Sequence, residues 1–503
     1  MTKRDISSMR SAVEFLRSQG DVLVFKGEVD PIYEISGITK SLDGGPVLLF
    51  EAIKGYPGIR DVANVFANEK IYTKLFDVSN DKELMHRAHQ ALLKPIPPKI
   101  VEQAPCQEVV ITQDIDVLAT LPILKHTEED AGRILGGGNV LIGGKHFDGG
   151  FEISFKRIHF QDKNWATLMA GDHTHIGKLA RRFWGEHIPV TVNICTPPAV
   201  ALVAGGMFVS PMVPSGSDEL AIAGGLQGFP VEIVKAKTVD AYAIANAEWV
   251  IEGYIDTTEH VWESEQAARA GRWDVAPFFP EYTGYLGGAV KTLKFVATAI
   301  THRKDSPIFY SPLAHSLEGI NLLRPFRAAS LYEYARRLVP PEFIVDINIL
   351  HGQKGLLGAV FQVQKRRMRD EGFQKTLLRN ILTLPEGPMV GIAVDDDVDI
   401  YNAEDVIWAI TTRVNPATGI LVGGGERHRL GNPMEELSPE SGLQGYIGID
   451  ATIPFNHPLK QVFRQGKYPI DKVDLRKWLT EEEISHARSR QSTYAQLLAS
   501  RGS

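Results

Sequence analysis

The chain has 503 residues, of which 44% are hydrophobic and 23% charged, and its formal net charge is −7. This length is too great for one ordinary core, so the composition predicts a soluble globular protein of several domains. The negative charge argues against nucleic acid or an anionic membrane surface as the main partner.

The sequence shows no secretory signal or membrane span, and its two cysteines are not paired by spacing. These features favour a cytoplasmic protein. The N-terminus leads into an amphipathic helix without the apolar run of a secretory signal. No stretch of the sequence approaches the ~18 uninterrupted apolar residues that cross a membrane. Cys106 and Cys195 are far apart and in no metal spacing, which fits a reduced compartment.

The first hundred residues alternate between helix and strand. Apolar residues at helical spacing predict a helix over 7–19, and apolar runs predict strands over 22–25 and 46–50. This alternation predicts a small α/β domain. The proline-rich segment 94–99 then predicts a stiff, extended linker, because proline fixes φ.

The middle third contains mostly predicted strands. Glycine- and proline-rich turns separate apolar runs that predict strands over 140–142, 153–160, 190–195, 199–203, 231–236 and 293–300. Many strands with few crossover helices favour a barrel or a sandwich over a doubly wound sheet.

From about residue 330 the alternation returns and indicates a second α/β domain. Apolar patterns predict helices over 331–338 and 373–382, and strands over 343–350, 359–363 and 390–394. An amphipathic helix follows the aspartate-rich run 395–402. The polar pattern of 481–498 predicts a helix that suits docking on a partner subunit.

Single motifs in the central third allow both a functional and a structural interpretation. The glycines of 136–138 could let backbone approach a ligand, or could form a tight turn. His173 and His175 could supply an imidazole ligand, or could cap a helix. Glu219 follows a segment that resembles a helix N-cap. An acidic side chain in the first turn of a helix usually stabilises the helix by interacting with its dipole. Local spacing therefore defines no metal site.

Three charged residues of the central third also have two interpretations. Lys156 and Arg157 lie within the predicted strand 153–160, where a part-buried cation suggests an anion to neutralise. The alternative is an edge strand with solvated charges. Glu281 stands among aromatic residues and proline. Desolvation there would raise its pKa toward that of a general acid. The alternative is an exposed turn.

Two charged runs follow in the last third. The basic run 365–369 is either a solvated face or a phosphate site. The aspartates of 395–399 follow a buried strand and precede a helix, so they resemble a divalent-metal site. Acids that cap a helix would give the same pattern.

Taken in order, these segments resemble the UbiD family of decarboxylases, which use prenylated flavin mononucleotide (prFMN). The similarity covers nearly the whole chain. It is most specific at 391–413, and the other segments that carry it are 103–108, 219–225, 247–248, 251–253 and 448–452.

The resemblance implies a multidomain α/β fold in three parts. An N-terminal α/β domain would span 1–115. A central split β-barrel of the flavin-reductase type, which holds prFMN, would span 116–325. A C-terminal α/β oligomerisation domain with the tail helix would span 326–503.

The resemblance also implies a divalent metal, usually Mn²⁺, that bridges the cofactor phosphate to the protein, often with K⁺ beside it. The matching ligand positions are Glu152, His175 and Glu219. Glu152 departs from the family, which more often has Asn or Asp there. A carboxylate oxygen suits a hard cation equally well, although it adds negative charge beside a phosphate.

Four positions match cofactor contacts of the family. They are Ser154, Arg157, Lys365 and Gly137, of which the glycine could contribute only its backbone.

The catalytic set of the family is an arginine with two glutamates. Arg157 and Glu281 are kept, whereas Ala276 replaces the first glutamate. This pattern resembles the branch that acts on hydroxylated benzoates such as protocatechuate. His315 and His428 match positions that line the substrate pocket of that branch.

The predicted function is a non-oxidative, reversible decarboxylation of an aromatic or heteroaromatic carboxylic acid. Glu281 would donate a proton and Arg157 would be its ion-pair partner. Phenolic acids are the expected substrates, and a fused-ring acid such as phenazine carboxylate is the alternative, because Ala276 could widen the pocket. The expected partners are the aryl acid, a flavin prenyltransferase that supplies the cofactor, and further copies of the chain in a dimer or hexamer.

Two other classes of protein remain open. An oxidoreductase that uses ordinary FMN could have the same split barrel, and a non-catalytic assembly protein could use the C-terminal domain and tail helix. Because the implied site residues lie mainly between Glu152 and Glu281, the aspartate run is best interpreted as a structural strand-to-helix junction.

Overall fold

The computed structural model describes residues 3–171, 174–275, 277–426, 444–455, 463, 468–492, 494, 495 and 497. These residues form a multidomain α/β fold with two compact units. The first unit runs to Glu333 and includes Lys354–Leu356; the second comprises Tyr334–Gln353 and the described residues from Leu357 onward.

Helices occur in both units. Those of the first unit are Met9–Ser18, Glu34–Ser41, Glu69–Tyr72, Asp81–Leu93, Val117–Thr120, His175–Arg182, Pro198–Gly205, Glu219–Gln227, Glu265–Ala270 and most of Leu317–Leu338. Those of the second unit are Phe373–Leu382, Ala403–Arg413 and Glu481–Ser489. None of the helices in the described part of the chain has both the length and the apolar composition that crossing a bilayer requires.

The first sheet confirms the α/β character of the N-terminal region. Its strand order is Val22–Val29, Val47–Ile53, Arg60–Ala63 and Ile308–Tyr310. The first two strands are parallel, and Met9–Ser18 begins where Ser8 accepts a hydrogen bond from the Ser11 amide. The predicted helix and both predicted strands are therefore confirmed, and the fourth strand comes from a distant part of the chain.

A nine-stranded antiparallel sheet dominates the middle of the first unit. Its order is Ile134–Leu135, Ile158–Phe160, Trp165–Leu168, Lys291–His302, Trp249–Trp262, His187–Ile194, Gly138–Gly143 and Phe151–Phe155, with Val109–Ile111 added on Lys291–His302. Among the described strands the two ends of this order do not pair with each other, so the sheet is not closed. The strand-rich prediction for this third of the chain is confirmed.

Two strand predictions in this region are wrong. The segment 199–203 lies in the helix Pro198–Gly205, whose residues are all buried. Apolar periodicity does not separate a fully buried strand from a fully buried helix, and a proline at the first helical turn favours the helix. The segment 153–160 forms two strands, Phe151–Phe155 and Ile158–Phe160, so Lys156 and Arg157 lie between strands.

Smaller sheets complete the first unit. Tyr242–Ile244, Glu232–Lys235 and Lys99–Val101 form one of them, and the extended segment 94–99 leads into its parallel edge strand. The strands Pro277–Pro280 and Leu286–Gly288 form a hairpin, called here the site hairpin, whose turn begins at Glu281. The hairpin thus holds a glutamate at the end of an aromatic strand.

The second unit is built on a five-stranded mixed sheet. Its order is Ile344–Asn348, Gly358–Val363, Val390–Asp395, Gln444–Ala451 and Ile420–Glu426. The predicted strands and the helix Phe373–Leu382 are confirmed here. The predicted helix 331–338 is the end of the longer Leu317–Leu338, because the chain continues its helix through Pro325, a residue that normally ends one.

The aspartate run is a structural junction. Arg413, at the end of the following helix, donates to Asp397 over 2.8 and 2.7 Å and to Asp395 over 3.2 Å. Asn402 caps that helix, and Asp405 accepts a hydrogen bond from the Asp399 amide. In the described part of the chain these carboxylates form no metal-ligand cluster.

Candidate active site

Glu152, His175 and Glu219 come together in the first unit. Glu152 lies on a strand of the large sheet, whereas His175 and Glu219 begin two helices that Thr174 and Asp218 cap. One ligand atom from each of the three side chains lies within 4.8 Å of the others. His175 Nδ1 is 2.6 Å from Glu152 Oε2 and 3.9 Å from Glu219 Oε1. The predicted ligand set is thus one cluster.

The cluster has the charge and the donor atoms that a hard cation requires. Burial, together with the charge of Glu152, raises the pKa of Glu219 well above its ordinary value. Burial lowers the pKa of Lys156, while the charges of Glu152 and Glu219 oppose that shift. Two carboxylates and an imidazole suit Mn²⁺ or a similar divalent ion. The residues therefore fit the metal that the resemblance implies.

Ser154 lies in the strand Phe151–Phe155 of the large sheet, and Gly137 comes directly before the strand Gly138–Gly143 of the same sheet. Ser154 Oγ donates to Glu152 Oε1 over 3.2 Å, because residues two apart on a strand share a face. A Cβ on Gly137 would lie 2.3 Å from the carbonyl oxygen of Tyr310. The close approach of that main chain accounts for the glycine, and its contact with a cofactor stays a prediction.

Arg157 contacts two glutamates. Its Nε and Nη2 donate to the two oxygens of Glu263 over 2.8 and 2.6 Å, and its Nη1 donates to Glu281 Oε1 over 2.5 Å. The guanidinium lies 4.9 Å from the ring centroid of Phe278. The structure therefore brings the two predicted catalytic residues together and adds a third residue to them.

The site hairpin presents Glu281 beside an apolar cluster. The Glu281 amide donates to the Tyr285 carbonyl over 2.9 Å, which closes the turn. The apolar cluster contains Ile134, Ala267, Phe278, Phe279 and Ala289. The Glu281 side chain is 30% exposed, so it is the member of the pair that an incoming ligand can reach.

His315 lies against the same turn. A Cβ on Gly284 would be 2.9 Å from His315 Nε2. Burial lowers the pKa of His315, and the charges of Lys40 and Lys354 add to that shift. The imidazole therefore lies beside the turn that carries Glu281, and its place in a substrate pocket stays a prediction.

Three further predicted positions are Lys365, Ala276 and His428. Lys365 belongs to the second unit, where its Nζ donates to Thr452 over 2.9 Å and to Glu371 over 3.1 Å. Ala276 and His428 lie outside the described residues.

The sequence analysis did not identify Glu263. Its partner Arg157 is 106 residues away in the chain, so no local spacing could relate the two. The one available signal was Ala276, which replaces the first glutamate of the family's catalytic set. Arg157 then had only one predicted carboxylate partner, so a second carboxylate from elsewhere in the chain could have been expected.

Comparison with known proteins identifies the family. Sequence models for the N-terminal, Rift-related and C-terminal domains of 3-octaprenyl-4-hydroxybenzoate carboxy-lyase, UbiD, match residues 13–90, 99–315 and 320–451. The chain belongs to the UbiD family of carboxy-lyases.

Two of the similar proteins are named as decarboxylases of aromatic acids. The gallate decarboxylase of Lactiplantibacillus plantarum is 28% identical, over 90% of this chain and 94% of that enzyme. The 3,4-dihydroxybenzoic acid decarboxylase AroY of Klebsiella pneumoniae has a structure with a TM-score of 0.81 at 27% identity, covering 93% of this chain and 98% of that one.

A flavin-bound structure is also similar. The UbiD-class enzyme HmfF of Pelotomaculum thermopropionicum, solved with FMN, has a TM-score of 0.81 at 27% identity. An evolved dimeric form of HmfF, solved with prFMN, has a TM-score of 0.78 at 26% identity. Both cover 94% of this chain and 100% of theirs.

Proposed function

We propose that the protein decarboxylates a phenolic acid with prFMN as its cofactor. The observation that carries this proposal is the Arg157–Glu281 pair, a partly exposed carboxylate held by an arginine against an apolar cluster. Decarboxylation needs a proton donor at the carbon that loses CO₂, in a place that excludes water. Glu281 would be the proton donor, and the aromatic strand before it would exclude water.

The proton balance follows from this arrangement. The bond between the aryl carbon and the carboxylate breaks, CO₂ leaves, and the electron pair stays with the aryl carbon. When bound, prFMN supplies an electron sink for that pair. A proton from the Glu281 carboxyl group forms the new C–H bond, and Glu281 regains a proton from solvent. Arg157 holds Glu281 in position throughout. The reverse sequence, carboxylation, would use the same residues.

The metal cluster would hold the phosphate of the cofactor. Glu152, His175 and Glu219 would bind Mn²⁺, and the charge of the ion would neutralise the phosphate group. Ser154 lies on the same strand face as Glu152, and Arg157 follows two residues after that strand. A K⁺ ion beside the cluster and the contact of Lys365 with the phosphate belong to the same proposal.

The domain organisation and assembly complete the proposal. The chain would divide at 1–115, 116–325 and 326–503, with the nine-stranded sheet as part of a split β-barrel. The C-terminal domain and its tail helix would join copies of the chain in a dimer or hexamer. A flavin prenyltransferase would supply the cofactor.

Coexpression with a flavin prenyltransferase tests this function. The purified protein would be assayed for CO₂ release from gallate, protocatechuate, vanillate and phenazine-1-carboxylate, and the released flavin would be weighed by mass spectrometry. We expect CO₂ from a phenolic acid and a flavin heavier than FMN. Release from phenazine carboxylate alone would assign the fused-ring substrate instead.

Two results would overturn the proposal. A flavin with the mass of FMN, reduced by a hydride donor and without CO₂ release, would make the protein an oxidoreductase. Protein without flavin or metal after coexpression would support a non-catalytic assembly role.

A further inference from the structure

The side chain of Lys156 lies on the same strand face as Glu152 and Ser154. Lys156 directly follows the strand Phe151–Phe155, and its amide still donates to the carbonyl oxygen of Gly138 on the neighbouring strand over 3.3 Å. This hydrogen bond extends the register of the two strands by one residue. Because alternate residues of a strand share a face, Lys156 lies on the side of the sheet that carries the metal cluster.

The ammonium group of Lys156 has no partner among the residues that the structure describes. Its Nζ forms no hydrogen bond and no ion pair with any of them, although the side chain is half-buried. The next residue, Arg157, is different, because its guanidinium donates to two glutamates and to a main-chain carbonyl oxygen. A charged group that is partly shielded from water needs acceptors or an opposite charge. The position of Lys156 therefore suits an anionic ligand.

The two carboxylates of the metal cluster act on Lys156 through their charge. Glu152 and Glu219 both favour the charged form of the lysine, whereas burial lowers its pKa. Each of these glutamates is 4% exposed, and the Ile153 amide also donates to Glu219 over 2.8 Å. Lys156 thus interacts with both charges without forming an ion pair with either. Its three N–H donors remain available to a ligand.

The proposed occupants of the cluster leave an excess of negative charge. A phosphate monoester carries about two negative charges at neutral pH, and Glu152 and Glu219 contribute a further charge each. A divalent ion neutralises half of this total. The remainder would lie beside two buried carboxylates, where unbalanced charge is costly. Lys156 removes one unit of the excess.

We propose that Lys156 binds the phosphate of the cofactor: its ammonium donates to a phosphate oxygen and offsets the charge that the second carboxylate adds to the metal site. This inference rests on the proposed binding of prFMN at the cluster. The phosphate would then meet two cations, the metal ion and Lys156. Riboflavin, which is FMN without its phosphate, separates this role from any contact with the flavin ring.

Lys156→Met tests the proposal by ligand binding and not by activity. The full-length chain would be produced without the prenyltransferase, freed of flavin and metal, and titrated into FMN or riboflavin at saturating Mn²⁺. Flavin fluorescence gives both Kd values. We expect Kd for FMN to rise by about 10- to 100-fold, the effect of losing a hydrogen bond between charged groups, and Kd for riboflavin to stay unchanged. Lys156→Arg keeps the charge and should retain most of the FMN affinity.

The same variant should bind Mn²⁺ more tightly when flavin is absent. In that state the ammonium group only repels the ion, so its removal should lower Kd for Mn²⁺ by a few-fold. Titration calorimetry would measure this change. A disturbed site would lose affinity for both ligands, whereas the proposed charge effect shifts the two affinities in opposite directions.

Lys294→Met is the matched control. Lys294 is also a lysine of the first unit with a partly buried side chain, which is 21% exposed. Its Nζ, however, donates to Glu259 over 2.8 Å and lies 5.0 Å from the ring centroid of Trp165. Because it is outside the metal cluster, its replacement should leave the affinities for FMN and Mn²⁺ at the wild-type values.

The other outcomes contradict the proposal in different ways. Unchanged FMN affinity in Lys156→Met would exclude the phosphate contact, and weaker binding of protocatechuate in that variant would assign the ammonium to the substrate carboxylate instead. Equal losses for FMN and riboflavin, or weaker Mn²⁺ binding, would make Lys156 a structural residue. If the wild type binds neither FMN nor Mn²⁺, the proposed function fails, so the two failures are distinguishable.

Discussion

Gly287 lies directly against Glu281 in the site hairpin: a Cβ at this glycine would be 2.9 Å from Glu281 Oε1 and 3.3 Å from Arg157 Nη1. The absence of a side chain at residue 287 therefore leaves room for the ion pair. The glycine has no positive φ, so its role here is space and not backbone conformation.

Gly287→Ala should displace the Glu281 carboxylate while leaving the hairpin folded. We expect kcat for CO₂ release to fall by about 10- to 100-fold, because misplacing a reacting group by around 1 Å has an effect of this size. Gly27→Ala is the control, since a Cβ there meets nothing within 4 Å and its φ is also ordinary. Equal kcat in the two variants would contradict the steric argument.

Loss of His175 should remove the metal. Because even an indirect partner of a ligand is worth about 10- to 100-fold in metal affinity, His175→Ala should weaken Mn²⁺ binding by at least about 100-fold. Elemental analysis and the Mn²⁺-dependent rise in Tm would measure this. His89→Ala is the control and should keep the wild-type metal affinity. His89 also pairs with a glutamate, since its Nε2 lies 2.7 Å from Glu333, but it is outside the cluster. Wild-type metal content in His175→Ala would exclude it as a ligand.

Arg413→Ala should destabilise the protein without changing its metal content. The Arg413 side chain is 2% exposed and pairs with Asp395, which is 15% exposed, and with Asp397, which is 43% exposed. Because solvent screens Asp397, we expect the removal of Arg413 to lower the unfolding free energy by about 1–3 kcal/mol. Denaturant unfolding would measure the loss. Arg476→Ala, which breaks the exposed pair with Glu481, should have no measurable effect. Unchanged stability in Arg413→Ala would contradict this structural role of the aspartates.

Glu318 should make stability depend on pH. Burial raises its pKa to about 7 from the ordinary 4.5, although the amides of Asn64 and Phe66 and the Tyr310 hydroxyl donate to it. The folded protein binds this proton more tightly than the unfolded chain. Its contribution, about 3 kcal/mol, is therefore fully present below pH 4.5 and is lost as the pH rises through 7.

Glu318→Gln removes that titration. The variant should be less stable than the wild type at pH 5, because a carboxyl group that serves three donors is lost. The difference in unfolding free energy between the variant and the wild type should narrow toward pH 8, because the ionised buried carboxylate destabilises the wild type there. Parallel pH dependences of the two proteins would show that Glu318 does not titrate in this range.

Local patterns predicted most elements but not the site. Periodicity located the helix Phe373–Leu382 and most strands of the large sheet. It failed at Pro198–Gly205, where all residues are buried and no polar face reveals the period. It also missed the first half of Leu317–Leu338, because an internal proline usually ends a helix.

The site residues were predicted from the family resemblance and not from local patterns, because their chemistry depends on contacts between distant segments. Glu152, His175 and Glu219 have no common spacing, yet one strand and two helix starts bring them together. Glu263 escaped prediction for the same reason, because it lies outside the segment 276–281 and is 106 residues from Arg157. A long-range ion pair can be recognised only when both partners are placed in space.

The most direct test of the central claim compares the wild type with Glu281→Gln. Both proteins would be loaded with prFMN to the same flavin content and given protocatechuate labelled with ¹³C in its carboxyl group, and the rate of ¹³CO₂ release would be measured. The account predicts release by the wild type and a rate at least about 100-fold lower in the variant, because glutamine cannot donate the proton. Equal rates at equal flavin content would contradict it.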